Sequence, residues 1–199
     1  MPVTKVQLCN LALQELGANR IISLSETREE AVLCNLFYDP VVEEVLRAHE
    51  WNCALWYQPL AQVDSGDANY VLGSLDKWSY QYKLPTNPYC LRALEIPDHP
   101  EADYEVINRY LLCNLTAVTI KYIRKLEDES HFDSMLVRAI AYRLAADLAD
   151  KITNSSTKRN EMIEKYEWAK RNAMAIDGIE RERPQTDNDD WSTGGGFRP

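Results

Sequence analysis

The stretch SHFDSMLVRAIAYRLAADLADKIT, Ser130 to Thr153, decides the fold. Leu136, Ile140, Leu144, Leu148 and Ile152 recur at a four-residue step and form one apolar ridge of a helix. Ala141, Ala145 and Ala149 form a parallel row of small residues. A ridge beside a smooth row lets a second helix approach closely. Ser130 and Asp133 are the predicted caps at its start. Asn154-Ser155-Ser156 reads as a turn, with Ser155 or Ser156 capping the next helix. That helix carries Met162, Tyr166, Ala169, Ala173 and Ile176 on one face and is expected to end near Asp177-Gly178.

Working towards the N-terminus, the period changes. AVTIKYI (Ala117 to Ile123) and WSYQYK (Trp78 to Lys83) alternate at period two, as strands do. YEVINRYLL (Tyr104 to Leu112) and the run from Trp51 to Gln58 are also strand-like. Pro85, Pro88, Pro97 and Pro100 punctuate the connections, and Asp64 to Asp76 reads as a loop. A small, mostly antiparallel sheet is the economical arrangement. Before it, the chain is helical again. Thr4 with Gln7 makes a capping box, and Val6, Cys9, Leu13 and Leu16 follow at helical spacing. Gly17 suits the left-handed position just past a helix end. A second helix begins near Thr27 or Glu29, with Ala31, Cys34, Tyr38, Val42, Val45 and His49 as its buried stripe. Pro40 removes the bond to the Leu36 carbonyl, so a kink or a break is expected there.

The expected fold is therefore mainly α with a β insertion (α+β). Helices at 4–49 and 130–177 pack as a four-helix bundle, with β structure at 51–126 between them. Residues 1–177 form one domain, and 178–199 an extended C-terminal interaction tail. The tail has too little apolar surface to build a core. It nevertheless carries two large aromatics, Trp191 and Phe197, after the basic Arg183. Burying one such side chain contributes roughly 1.5–3 kcal/mol, so Arg183, Trp191 and Phe197 are the candidate assembly contacts.

Composition narrows the function. The chain has 199 residues and a net charge of −9, which argues against a generic basic face for nucleic acid. Its five cysteines, Cys9, Cys34, Cys53, Cys90 and Cys113, are odd in number and contain no CxxC pair, so they read as small buried hydrophobes in a reducing compartment. No signal-peptide pattern opens the chain, and no apolar run has the length of a membrane span. GxSxG, HExxH, Walker and GxGxxG patterns are absent. No catalytic, metal-binding or cofactor-binding residue is expected.

His131 lies among Asp128, Glu129, Ser130 and Asp133, where acids at a helix start complement its dipole; capping is the reading preferred over metal binding. His49 reads as a core-edge residue, and His99 as a loop residue between Pro97 and Pro100. Trp78, Tyr80 and Tyr82 read as aromatics that cover a core rather than stack on bases. Lys121, Arg124 and Lys125 read as part of a mixed-charge surface.

Several of these segments, in order, resemble one family. NLALQELGANRIISLSE (10–26), LRAHEWNCALW (46–56), WSYQYKLPTNPYCLRALEI (78–96), the late strand and Ala-rich helix at 118–153, AMAIDGIERE (173–182) and the acidic, Trp-bearing end are similar to phage head-to-tail adaptor proteins of the tail tubular protein A type. Cys53-Ala54 stands where that pattern has an aromatic-Ala pair, and Asn87-Pro88-Tyr89 lengthens the segment before Cys90-Leu91-Arg92. The resemblance implies a structural virion protein. Such proteins form a ring, normally of twelve copies, between the portal and a tail nozzle protein, and help to hold tail fibres in short-tailed phages. DNA passes through the bore without specific binding. Assembly in the host cytoplasm, no membrane and no cofactor are implied. The readings set against it are a small cytosolic hydrolase or nuclease, and an unrelated helical scaffold protein.

Overall fold

The protein is described by a computed structural model, which covers residues 3–67, Tyr70, Leu72 and 77–181. It is α+β, with four α-helices and two small three-stranded antiparallel sheets. Helices α1 (Lys5–Glu15) and α2 (Glu29–Ala48) come first, and α3 (Ser134–Thr153) and α4 (Ser156–Arg181) come last. Between them lie β1 (Leu55–Pro59), β2 (Tyr80–Lys83), β3 (Cys90–Glu95), β4 (Tyr104–Ile107), β5 (Tyr110–Cys113) and β6 (Thr119–Arg124).

Local chemistry sets the helix ends. The Thr4 hydroxyl accepts from the Gln7 backbone N–H at 3.2 Å, and the Gln7 side chain accepts from the Thr4 N–H at 3.0 Å, which completes the capping box. Gly17 follows α1 with φ of +69°, the left-handed geometry expected. The Asp133 carboxylate caps α3 through Met135 N–H at 2.8 Å. Ser130 instead lies in a short 3₁₀ turn that Asp128 caps. Asn154 takes the left-handed position after α3, and Ser155 accepts from Lys158 N–H at the start of α4.

One expectation about the helices is narrowed and one needs correction. Helix α2 is continuous across Pro40, so of the kink or break expected there the break does not occur. Pro40 and Leu36 are both exposed, so water can serve the carbonyl that proline leaves unpaired. Helix α4 passes through Gly178 and ends at Arg181, so residues 178–181 belong to the helix and not to an extended tail. Gly178 does not adopt a positive φ, and glycine inside a helix costs only about 1 kcal/mol.

The β region departs more. Trp51 to Gln58 is not one strand: a 3₁₀ turn at Asn52–Ala54 precedes β1. YEVINRYLL is a hairpin, in which β4 and β5 pair across Asn108 and Arg109. Both turn residues have positive φ, 44° and 68°, as a two-residue turn matched to strand twist requires. The single expected sheet is two sheets, ordered β1-β6-β3 and β2-β5-β4.

Helix α3 packs most extensively on α4, and also against α2 and α1. Its ridge and alanine row are buried, with Ile152 at the margin. Leu91 and Ile123 turn from the first sheet into this helical core. Ile120 and Tyr122 turn the other way, into a second core shared with Tyr82, Leu111 and Cys113 of the second sheet. The first sheet is thus a middle layer, with helices on one face and the second sheet on the other.

Side chains reinforce the seams. Arg143 of α3 grips the Glu44 carboxylate of α2 with two bonds, at 3.1 and 3.0 Å, and also bonds Asp147. Lys165 of α4 reaches Glu15 of α1 at 3.0 Å. The Tyr122 hydroxyl bonds Gln58 Oε1 at 3.0 Å and the Pro88 carbonyl at 3.2 Å. All five cysteines are free thiols; four are buried, and Cys53 is partly buried.

Burial pushes the Tyr122 and Tyr166 hydroxyls up from their ordinary 10 to about 12. Their folded pKa values are raised, so the fold holds protons that the unfolded chain releases. This stability is complete below pH 10 and is lost as pH climbs towards 12. Each group adds a slope of about 1.4 kcal/mol per pH unit in that window. Urea midpoints measured from pH 9 to 11.5 are expected to fall, and to fall less steeply in Tyr122→Phe. An equal slope in that variant would refute the assignment.

Candidate interaction surface

The three residues the sequence singles out, Arg183, Trp191 and Phe197, lie outside the described residues. The structure describes the surface that leads to them. On the second half of α4, Trp168, Ala175 and Ile179 recur at spacings of seven and four and form one exposed apolar stripe, with Ile176 beside it. Trp168 is 56% exposed and Ile179 73%, too open for core residues. The stripe is separate from the buried face of Met162, Tyr166, Ala169 and Ala173; Ile176, expected on that face, is instead 41% exposed. A helix with two apolar faces buries only one against its own domain.

The end of α4 is anchored to the body. The Asp177 carboxylate accepts from the Asn52 backbone N–H at 2.9 Å and stands 3.4 Å from His49 Nε2. The Asn52 side chain donates to the Asp177 carbonyl at 2.9 Å. His49 packs edge-on against the buried Trp51, with ring centroids 4.8 Å apart, so it is a core-edge residue as expected. The end of α4 is therefore held at a fixed point beside the 3₁₀ turn.

Two further exposed features stand apart from α4. Val32 and Leu36 lie one turn apart on the outer face of α2. Among the described residues, strand β1 is an open edge of its sheet, and it carries Trp56 and Tyr57, 41% and 56% exposed. The Arg124 guanidinium lies 4.5 Å from the Trp56 ring. Unpaired strand edges are ready templates for another chain.

The remaining sequence candidates settle into structural roles. Trp78 and Tyr82 are buried, and Tyr80 packs on the same second core. Lys121 pairs with Glu95 at 2.7 Å and Lys125 with Glu43 at 2.7 Å, which makes this a mixed-charge surface. His131 is exposed, 3.9 Å from Asp128. Among the described residues, no group of three or more His, Cys, Asp or Glu is placed to hold a metal ion. No described helix is long and apolar enough to cross a membrane.

One site was not visible in the sequence. A cleft of about 320 Å³ opens between β3 and the β4–β5 hairpin. Arg47 of α2, Arg92 of β3 and Arg109 of the hairpin turn surround it, over Leu84, Leu91 and Val106. Arg47 donates to the Leu91 carbonyl at 2.6 Å. Arg109 donates to the carbonyls of Pro85 and Cys90, at 2.7 and 3.1 Å, and stacks on Tyr89 at 3.9 Å. The Arg92 Nε is buried and has no hydrogen-bond partner among the described residues. No carboxylate lines the cleft, and among the described residues none forms an ion pair with these three arginines. Burial pushes the Cys90 thiol up to about 11, against the pull of Arg109 and Arg47. The three arginines are 45 and 17 positions apart in sequence; only a lone arginine inside the apolar run CLRALE hinted at the site.

No protein-family model matches this chain, and no curated protein does either.

Proposed function

We propose that the chain is a structural virion protein, a head-to-tail adaptor of the tail tubular protein A type that works by contact and not by catalysis. The observation that carries this reading is the ordered set of six family-like segments, spread over nearly the whole chain. Two helices before and two after an inserted β region agree with it. In this reading the four helices close as one bundle and give each copy a rigid body. Copies join as a ring, of twelve in the family it resembles, with the portal on one side and a nozzle or other tail protein on the other. Tail fibres are further partners in short-tailed phages. The exposed stripe of Trp168, Ala175 and Ile179 and the open edge of β1 are the faces offered to neighbours.

The tail beyond α4 is the strap of this assembly, with Arg183, Trp191 and Phe197 as its contacts. Weak contacts repeated around a ring hold collectively, because linked sites rebind before the rest release. With a net charge of −9, acidic side chains facing the bore keep passing DNA from sticking. Truncation after Arg183 is expected to abolish attachment to portal-containing heads, read by sedimentation with the heads. Unchanged attachment removes the strap from the reading. Electron microscopy of the protein mixed with its portal is expected to show a ring with an acidic bore; a strongly basic bore contradicts the charge argument.

A further inference from the structure

The arginine cleft has the chemistry of a receptor for an acidic, aromatic-bearing peptide, and the chain carries one. TDNDDW, Thr186 to Trp191, places three aspartates and a tryptophan within six residues. It lies outside the described residues. A guanidinium offers five donors in a plane that matches a carboxylate. Arg47 uses one donor on a backbone carbonyl, Arg109 uses two, and the Arg92 Nε has no hydrogen-bond partner among the described residues. Clamping of β3 accounts for the carbonyl bonds of Arg47 and Arg109. It does not account for Arg92, nor for three cations gathered without a carboxylate in a chain of net charge −9. A buried cationic donor left unpaired is costly, and an incoming carboxylate relieves that cost. Leu84, Leu91, Ala93 and Val106 supply apolar walls for an indole.

The segment is within reach. Asp177 near the end of α4 touches His49, two residues beyond Arg47, whose guanidinium bonds Leu91 in the cleft. From Arg181, six residues to Asp187 span up to about 20 Å, and ten residues to Trp191 up to about 35 Å. A short tether raises the effective concentration of the segment to about the millimolar range, above that of a separate copy in dilute solution.

We infer that Asp187–Trp191 docks in the Arg47–Arg92–Arg109 cleft of its own chain, with its carboxylates on the guanidiniums and Trp191 against the apolar walls. The docking concerns the isolated molecule and does not rest on the ring; on assembly Trp191 exchanges this cleft for the strap contact proposed above.

The test uses the full chain labelled with 5-fluorotryptophan. The Trp191 fluorine resonance is assigned by its loss in Trp191→Phe. Its solvent isotope shift between H₂O and D₂O reports exposure. At low salt Trp191 is expected to be shielded relative to a free peptide of the same sequence, and equally so after tenfold dilution. The shielding is expected to vanish in about 1 M NaCl, where the screening length is about 3 Å. It is also expected to vanish in Arg92→Glu, with the Trp51 and Trp78 resonances unmoved as evidence of an intact fold. Should Arg92→Glu unfold, the triple variant Asp187→Asn/Asp189→Asn/Asp190→Asn leaves the body untouched and must expose Trp191 to the same extent. Combining Arg92→Glu with Asp189→Arg is expected to restore the shielding. Free-peptide exposure in the unmodified chain overturns the inference. Shielding that survives the aspartate variant also overturns it, as does shielding that appears only at high concentration, which places the segment on a second copy.

Discussion

Trp51→Ala is expected to lower the unfolding free energy by about 3–5 kcal/mol, a large share of the roughly 5–15 kcal/mol typical of a domain. Trp51 is 2% exposed and among the largest side chains fully inside the protein. Its indole N–H donates to the Val45 carbonyl at 2.9 Å. Val45 sits in the last turn of α2, where carbonyls lack helical partners, so the indole serves as a side-chain cap. The substitution removes the packed ring, leaves a void and strips that carbonyl of its donor. It also loosens His49, which leans on the ring, and with it the anchor at Asp177. Trp51→Phe keeps most of the volume and loses the hydrogen bond, for an expected cost of about 1–3 kcal/mol. Urea unfolding at neutral pH measures both. A midpoint for Trp51→Ala within error of the unmodified chain would refute the packing argument.

The second large effect is expected along α3, which packs on α4, α2 and α1, and it should appear in two opposite ways. Leu144→Ala removes a fully buried side chain from the ridge and is expected to cost about 2–5 kcal/mol. Ala145→Leu adds volume at the neighbouring smooth row, also fully buried, and is expected to cost about 1–3 kcal/mol through overpacking. Loss from shrinking one position and from enlarging the next is the signature of a ridge seated in a groove. Tolerance of Ala145→Leu in urea unfolding would mean that the row faces slack space. Helices packed about 8–10 Å apart leave no room beside a methyl row for an isobutyl group.

The helices were legible because the signals that make them are local. Thr4 and Gln7 are three residues apart, Gly17 follows α1 directly, and the ridge from Leu136 to Ile152 repeats within a single turn of spacing. Short-range rules held at those places because a hydrogen bond or a steric limit acts between near neighbours. They failed at Gly178, where a disfavoured residue is outweighed by the rest of a helix of 26 residues.

The sheets were harder to read. INRY looks like the middle of a strand, but Asn108 and Arg109 turn through positive φ, and the hairpin is specified by which strands find each other. The period-two pattern of β6 shows that alternate residues are buried. It does not show that Ile120 and Tyr122 serve one core while Ile123 serves another. The arginine cleft was invisible for the same reason, since a helix end, a strand and a hairpin turn had to meet before three scattered side chains became neighbours.

By itself the sequence determined the four helices, the caps at Thr4 and Asp133 and most of each buried face, and an acidic chain whose last stretch holds aromatics without a core of their own. Caps, periodicity and composition act over a few residues, and the string of letters contains them completely. Only the tertiary structure decided that the strands divide into two sheets, that α4 keeps an apolar stripe facing outwards, and that Arg47, Arg92 and Arg109 surround one cleft. Those outcomes depend on pairings across tens of residues, where many partners are chemically acceptable and packing of the whole chain selects among them.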